Sequence, residues 1–164
     1  MALQSKLLIY VAIVGLLGLM GAIFWYGNLD APEIGQVEIE ITDVEVLSVN
    51  KVESTAKLTL TFLVKNPSET TFTVSVISYE LFADGSLLGS GQYSTADIAM
   101  PGRAIFSSGA EIPLKNIFEL EKSEINDEIY QAVLEDNISS FKAEGIIIAE
   151  SAWSTIEKEF DTST

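Results

Sequence analysis

The sequence predicts a mainly β protein: an antiparallel immunoglobulin- or fibronectin-like sandwich of about seven strands with one late α-helix, behind a single transmembrane helix. Three observations predict this. Leu7 to Gly27 is a 21-residue stretch without a charge. From Gln36 onward the apolar period becomes two, the repeat of a strand with one face buried. Turn signals such as Asn66-Pro67-Ser68 and Asp84-Gly85 fall between the alternating runs. The chain divides into a stub and membrane helix (1–27), a connector (28–35), the sandwich (36–160) and a tail (161–164).

As a helix, the first stretch is about 30 Å long, the thickness of a bilayer's hydrocarbon core. A helix also satisfies its own backbone in lipid. Lys6 precedes it; Asp30, Glu33, Glu38 and Glu40 follow, and no basic residue comes before Lys51. The positive-inside rule then puts the N-terminus in the cytoplasm and the domain outside the cell membrane. Trp25 and Tyr26 at the outer end and Tyr10 near the inner end suit the interfacial belts. The run exceeds a signal-peptide core, and Leu29-Asp30-Ala31 is a poor cleavage site, so the reading is an uncleaved anchor in the bilayer through residues 7–27. Ala12, Gly15, Gly18 and Gly21 or Ala22 form a small-residue stripe that permits helix-mediated self-association, although Gly is common in membrane helices anyway.

The connector Asn28 to Gly35 is short, and Pro32 ends helical continuation. Val37, Ile39 and Ile41 open the first strand. A bulge near Thr42-Asp43 is expected to carry Val44 and Val46 onto the same face. Leu58, Leu60, Phe62 and Val64 form the second strand. The third carries Phe72, Val74 and Val76, then slips near Val76-Ile77 to Ile77, Tyr79 and Leu81. Asp84-Gly85 is a two-residue hairpin turn. The fourth strand, Leu87 to Ser94, contains Gly89 and Gly91, which mark an edge, a bulge or a close backbone approach. Met100-Pro101-Gly102-Arg103 is a turn, and the fifth strand runs over 104–114. Ser123 is the expected helix N-cap, with Ile125, Ile129, Ala132 and Val133 at helical spacing. Strands over 141–149 and 153–160 finish the domain. Ile146-Ile147-Ile148 is read as buried on both faces, and the tail as frayed.

After residue 27 the chain holds all 24 acidic residues and eight of the nine basic ones. That charge opposes nucleic acid and anionic headgroups. With no Cys and no His, disulfides, thiol nucleophiles, His-based triads and the usual zinc sites are excluded. Glu119, Glu121, Glu124, Asp127 and Glu128 gather near the helix start, where the dipole and solvation account for them, and no calcium loop is present. No catalytic, metal or cofactor site is expected. Asn137-Ile138-Ser139 is a glycosylation acceptor pattern; the alternative for Asn137 is a left-handed residue at the helix exit.

Val64-Lys65-Asn66-Pro67-Ser68 after a strand, then Tyr79-Glu80-Leu81, a turn with Gly85, Gly89-Ser90-Gly91, Pro101-Gly102 and Ile112-Pro113-Leu114 form an ordered set. It resembles the group 2 late-embryogenesis-abundant (LEA type 2) proteins, the water stress and hypersensitive response (WHy) domain. Ser68 stands where the family's Asn-Pro-Asn has its second Asn. The resemblance covers residues 35–160 and implies a seven-stranded sandwich with one helix. It also implies a stress-related binding or shielding role without catalytic residues. Asn66, Pro67, Tyr79 and Gly85 are its structural markers. The expected protein is thus a non-enzymatic, membrane-anchored domain at a prokaryotic, archaeal-type cell surface, with unidentified protein partners. The alternative is a pilin-like structural subunit of a surface filament or envelope assembly.

Overall fold

In the computed structural model, residues 2–27, 31–95 and 104–164 are described. The apolar N-terminal segment is one helix, α1 (Ala2–Gly27), with the membrane-length span Lys6–Tyr26 wholly exposed. A single helical turn, α2 (Ala31–Ile34), contains Pro32, which a first turn tolerates. Ile34 and Val37 are buried, so the approach to the domain is itself packed.

Among the described residues eight strands follow: β1 (Glu38–Asn50), β2 (Thr55–Lys65), β3 (Phe72–Ala83), β4 (Ser86–Ser94), β5 (Ile105–Phe106), β6 (Glu111–Glu121), β7 (Phe141–Glu150) and β8 (Thr155–Ser163). One sheet has the order β1-β2-β6. The other runs β4-β3-β7-β8, with β5 paired to the start of β3. Every pairing is antiparallel. This is the two-layer arrangement that the alternating pattern predicts.

The core lies between the inward faces. Leu58, Leu60, Phe62 and Val64 of β2 are fully buried opposite Ile77, Tyr79 and Leu81 of β3 and Ile147 of β7. Burial contributes roughly 1.5–3 kcal/mol for each large side chain. Phe62 meets Tyr79 and Phe160 with ring centroids 5.0 and 6.3 Å apart, and Phe72 stacks on Phe106 at 5.3 Å. Hydrogen bonds close both flanks. On one side the Ile41 amide donates to Thr162 Oγ1 (3.2 Å) and Lys158 Nζ to the Val37 carbonyl (2.5 Å). On the other, Asn116 of β6 reaches across to Tyr79 and β4.

The register shift at Thr42 falls where a bulge was expected. A second shift between Val46 and Ser48 was not foreseen. Burial fades after Ile41: Val44 is half-buried against the core, and Val46 is 39% exposed, because the end of β1 overhangs the core. The β3 bulge sits at Ser75, slightly before the expected place. The expected fifth strand is two pieces, β5 and β6, separated by a turn in which Gly109 has φ 72°. The Met100–Arg103 turn lies outside the described residues.

The helix is α3 (Asp127–Leu134), and its cap is Asn126, whose side chain accepts from the Glu128 amide. Ser123 instead lies in a 3-10 turn over Lys122–Glu124. The Ile triplet is not buried on both faces: Ile147 is buried, while Ile146 is 40% exposed, so ordinary alternation holds. The tail is not frayed. β8 continues through Ser163, and the Thr164 amide donates to the Phe141 carbonyl.

Candidate functional site

Asn66 is the polar centre of the end at which β1 starts and β2 stops. It is 1% exposed. Its Nδ2 donates to the carbonyls of Thr70 (3.0 Å) and Phe106 (2.9 Å). Its Oδ1 accepts from the Ser68 amide (3.0 Å) and hydroxyl (2.8 Å). Its own amide donates to the Ala110 carbonyl, and its carbonyl accepts from Gly109. One side chain therefore fastens the β2–β3 turn to the β5–β6 turn. An Asn side chain that bonds the turn backbone is common chemistry; the long-range partner Phe106 is invisible in sequence spacing. Pro67 is exposed and fixes the turn backbone. Ser68, buried, supplies a hydroxyl donor and amide to Asn66, and Thr70 Oγ1 donates to Glu33 Oε2 at 2.5 Å.

Tyr79 belongs to a second constellation. On its neighbours in the sheet it faces Gly91 and Gly145, and Gly145 faces Phe160. The Tyr79 ring lies over Gly91, where a Cβ would stand 2.5 Å from the phenol. Its hydroxyl oxygen accepts from Asn116 Nδ2 at 2.7 Å, and the same amide donates to the Gln92 carbonyl at 3.1 Å. Gly89 has φ 143° beside a register shift and abuts Phe118. Thus β4 is at once an edge, a bulged strand and a close approach. Gly85 completes the hairpin turn with φ 81°, after Asp84 at φ 47°. The Asp84 carboxylate accepts from the amides of Ser139 and Ser140, tying the hairpin to the start of β7.

Burial pushes the Tyr79 phenol up to about 12, although the Asn116 hydrogen bond lowers it. A phenol that holds its proton more tightly when folded contributes stability that is whole below about pH 10 and fades as pH rises through about 12. The loss across that window is about 2–3 kcal/mol. We expect Tyr79→Phe to cost about 1 kcal/mol at neutral pH. It should also flatten the alkaline limb, as read from urea midpoints between pH 8 and pH 12.

The β4-β3-β7-β8 sheet carries an open hollow of about 950 Å³, lined in part by this row. Glu80, Glu144 and Asp161 occupy successive cross-strand positions along it. Lys142 pairs with Glu144 and, at 3.0 Å, with Asp161. The Glu144 and Asp161 hydrogen bonds hold its ammonium above the usual lysine range. These exposed pairs contribute little stability. The lining favours cationic groups and opposes anions. The sequence pattern placed no emphasis on these residues, because their adjacency depends on strand order. Among the described residues no three His, Cys, Asp or Glu side chains converge on a metal position.

Asn137 is exposed. The left-handed residue at the helix exit is Asp136 (φ 55°), not Asn137. The amides of Asp136 and Asn137 donate to the carbonyls of Val133 and Ala132, a Schellman closure. Tyr10, Trp25 and Tyr26 are all exposed on α1.

No family model matches the chain, and no curated protein matches it. Solved structures do. An Arabidopsis thaliana protein solved in solution is 17% identical with a TM-score of 0.51, over 77% of this chain and 80% of that one. A crystal structure of an Archaeoglobus fulgidus protein is 12% identical, TM-score 0.46, over 76% and 94%. A solution structure described as a late embryogenesis abundant (LEA) protein is 15% identical, TM-score 0.40, over 94% and 85%. The likeness to the first establishes a shared β-sandwich fold.

Proposed function

We propose that this chain is a single-pass membrane protein of the LEA type 2/WHy kind, its sandwich held outside the cytoplasm and acting by binding or shielding other molecules and not by catalysis. The observation that carries the reading is α1. All its side chains from Lys6 to Tyr26 are exposed, while the core is assembled entirely from later residues. An uncharged stretch of 21 residues, Leu7 to Gly27, in water would be a severe liability, and a bilayer removes it. The order Asn66-Pro67, Tyr79, Gly85 supports the family, since those residues hold the two sheets and their turns together. Within the sandwich, Asn66 and Ser68 bond to each other and to backbone, and the Tyr79 hydroxyl accepts from the Asn116 side chain. That is the economy of a scaffold. Asn137, exposed on the same outer domain, is available as a glycan acceptor.

The test is protection of a client. Vesicles carrying the full chain should preserve the activity of a drying-sensitive enzyme through dehydration better than vesicles carrying an unrelated single-pass protein. Equal loss of activity in both would remove the protective role.

The overhanging half of β1 favours a second reading, assembly of copies. Leu47 and Val49 are exposed on the edge strand β1 and Val52 in the turn that follows it, a template for pairing with another chain. Self-cross-linking of membranes into a regular ladder would select this reading over the first.

A further inference from the structure

The turn between β7 and β8 carries an exposed aromatic residue that neither the core nor the motif residues use. Trp153 is 66% exposed at the tip, within Ser151-Ala152-Trp153-Ser154. The six residues Ser151 to Ile156 carry no charge. Trp153 lines an apolar crevice of about 320 Å³ together with Leu19, Ala22, Ile23 and Tyr26 of α1. Those four positions are spaced i, i+3, i+4, i+7, so they form one face of the last two turns of the span. Ala22, the small residue of the set, leaves room there for an indole.

We propose that the β7–β8 tip is a second membrane contact, with Trp153 seated in the interfacial layer of the bilayer that α1 crosses. This rests on the anchor reading: if α1 spans from Lys6 to Tyr26, whatever lies beside Leu19 to Tyr26 occupies the outer edge of the same bilayer. Three features fit the tip to that place. Indole combines an apolar ring with one N–H donor, the chemistry of the aromatic belt. The tip's backbone is closed on itself: the Ser151 amide donates to the Ser154 carbonyl at 2.8 Å, and Ser151 Oγ accepts from the amides of Trp153 and Ser154 at 3.2 and 3.1 Å. Backbone groups paired internally lose little on leaving water. Ile105, 65% exposed, pairs with Thr73, which in turn faces Glu150 at the end of β7, so a second apolar side chain lies at this end of the sandwich. The contact is apolar, as the acidic character of the chain requires. With α1 and the tip both engaged, the sandwich is held at a fixed tilt and not swung on a single tether.

The chain has two tryptophans, Trp25 and Trp153, which makes the test direct. The full chain is reconstituted in phosphatidylcholine vesicles containing lipids brominated near the headgroup. Trp25→Phe leaves Trp153 as the only indole; Trp153→Phe leaves Trp25 to report on the helix. Circular dichroism verifies that both variants keep the β fold. The expected result is blue-shifted, bromine-quenched emission from each. Quenched Trp25 with water-like, unquenched Trp153 overturns the tip contact and leaves the anchor standing. Quenching of neither removes the anchor reading and the tip contact with it.

Discussion

Asn66→Ala should destabilise the domain by about 3–5 kcal/mol, a large part of the 5–15 kcal/mol typical of a folded domain. Alanine leaves the Thr70 and Phe106 carbonyls without the donors that Nδ2 supplies, and leaves the Ser68 amide without its acceptor. The Phe106 carbonyl and the Ser68 amide lie around a side chain that water does not reach, so their desolvation is uncompensated, while the Thr70 carbonyl keeps the Ser68 hydroxyl at 3.2 Å. Asn66→Asp separates shape from donation. It keeps the acceptor toward Ser68 but turns a carboxylate toward two carbonyl oxygens. Such a carboxyl has its pKa raised in the fold, so this variant should be least stable at neutral pH and recover as pH falls. Urea unfolding of the full chain in micelles, followed by near-UV circular dichroism, reads both. A loss below about 1 kcal/mol for the Ala variant would be that of an exposed turn residue and would contradict the role assigned to Asn66.

Gly145→Ala is the second large effect. An added Cβ would lie 2.0 Å from the Ser78 carbonyl oxygen and 2.8 Å from Tyr79 Cα. These are backbone atoms in a central strand pair, so no rotamer change relieves the clash. The β3–β7 ladder must part, and with it the seat of Tyr79. We expect a loss above about 4 kcal/mol, or failure to accumulate folded protein. Gly85→Ala is the matched control. Nothing lies within 4 Å of its added Cβ, and only the positive φ of 81° opposes it. That substitution should cost about 1 kcal/mol. Similar thermal midpoints for the two variants would mean that β3 and β7 do not approach as closely as Gly145 implies.

Local patterning made much of this fold legible. Period-two runs marked the inward residues of β2 and β3, and Asp84-Gly85 marked its turn, because each depends on neighbours in sequence. The overhang of β1 was not legible. Val46 and Leu47 continue the apolar run after the core has ended at the half-buried Val44, and the chain does not encode where the opposite sheet stops. The helix cap was misplaced for a related reason. Ser123 and Asn126 are both good caps, and the 3-10 turn that chooses between them follows from how β6 leaves its sheet. Tyr79 could be singled out by its place in the motif, but Asn116 could not. Their hydrogen bond crosses 37 residues and two sheets. The acidic row of Glu80, Glu144 and Asp161 is of the same kind, since it exists only once β3, β7 and β8 are neighbours.

The central claim is a sandwich displayed outside the membrane that α1 crosses. An impermeant amine reagent applied to intact cells expressing the chain tests it most directly, with modified lysines located by mass spectrometry. Lys51 and Lys57 are exposed, and Lys51 sits in the β1–β2 turn at the end of the sandwich away from α2. The account predicts that both are modified in intact cells while Lys6 is modified only after lysis. Modification of Lys6 in intact cells, with Lys51 and Lys57 protected until lysis, would contradict it.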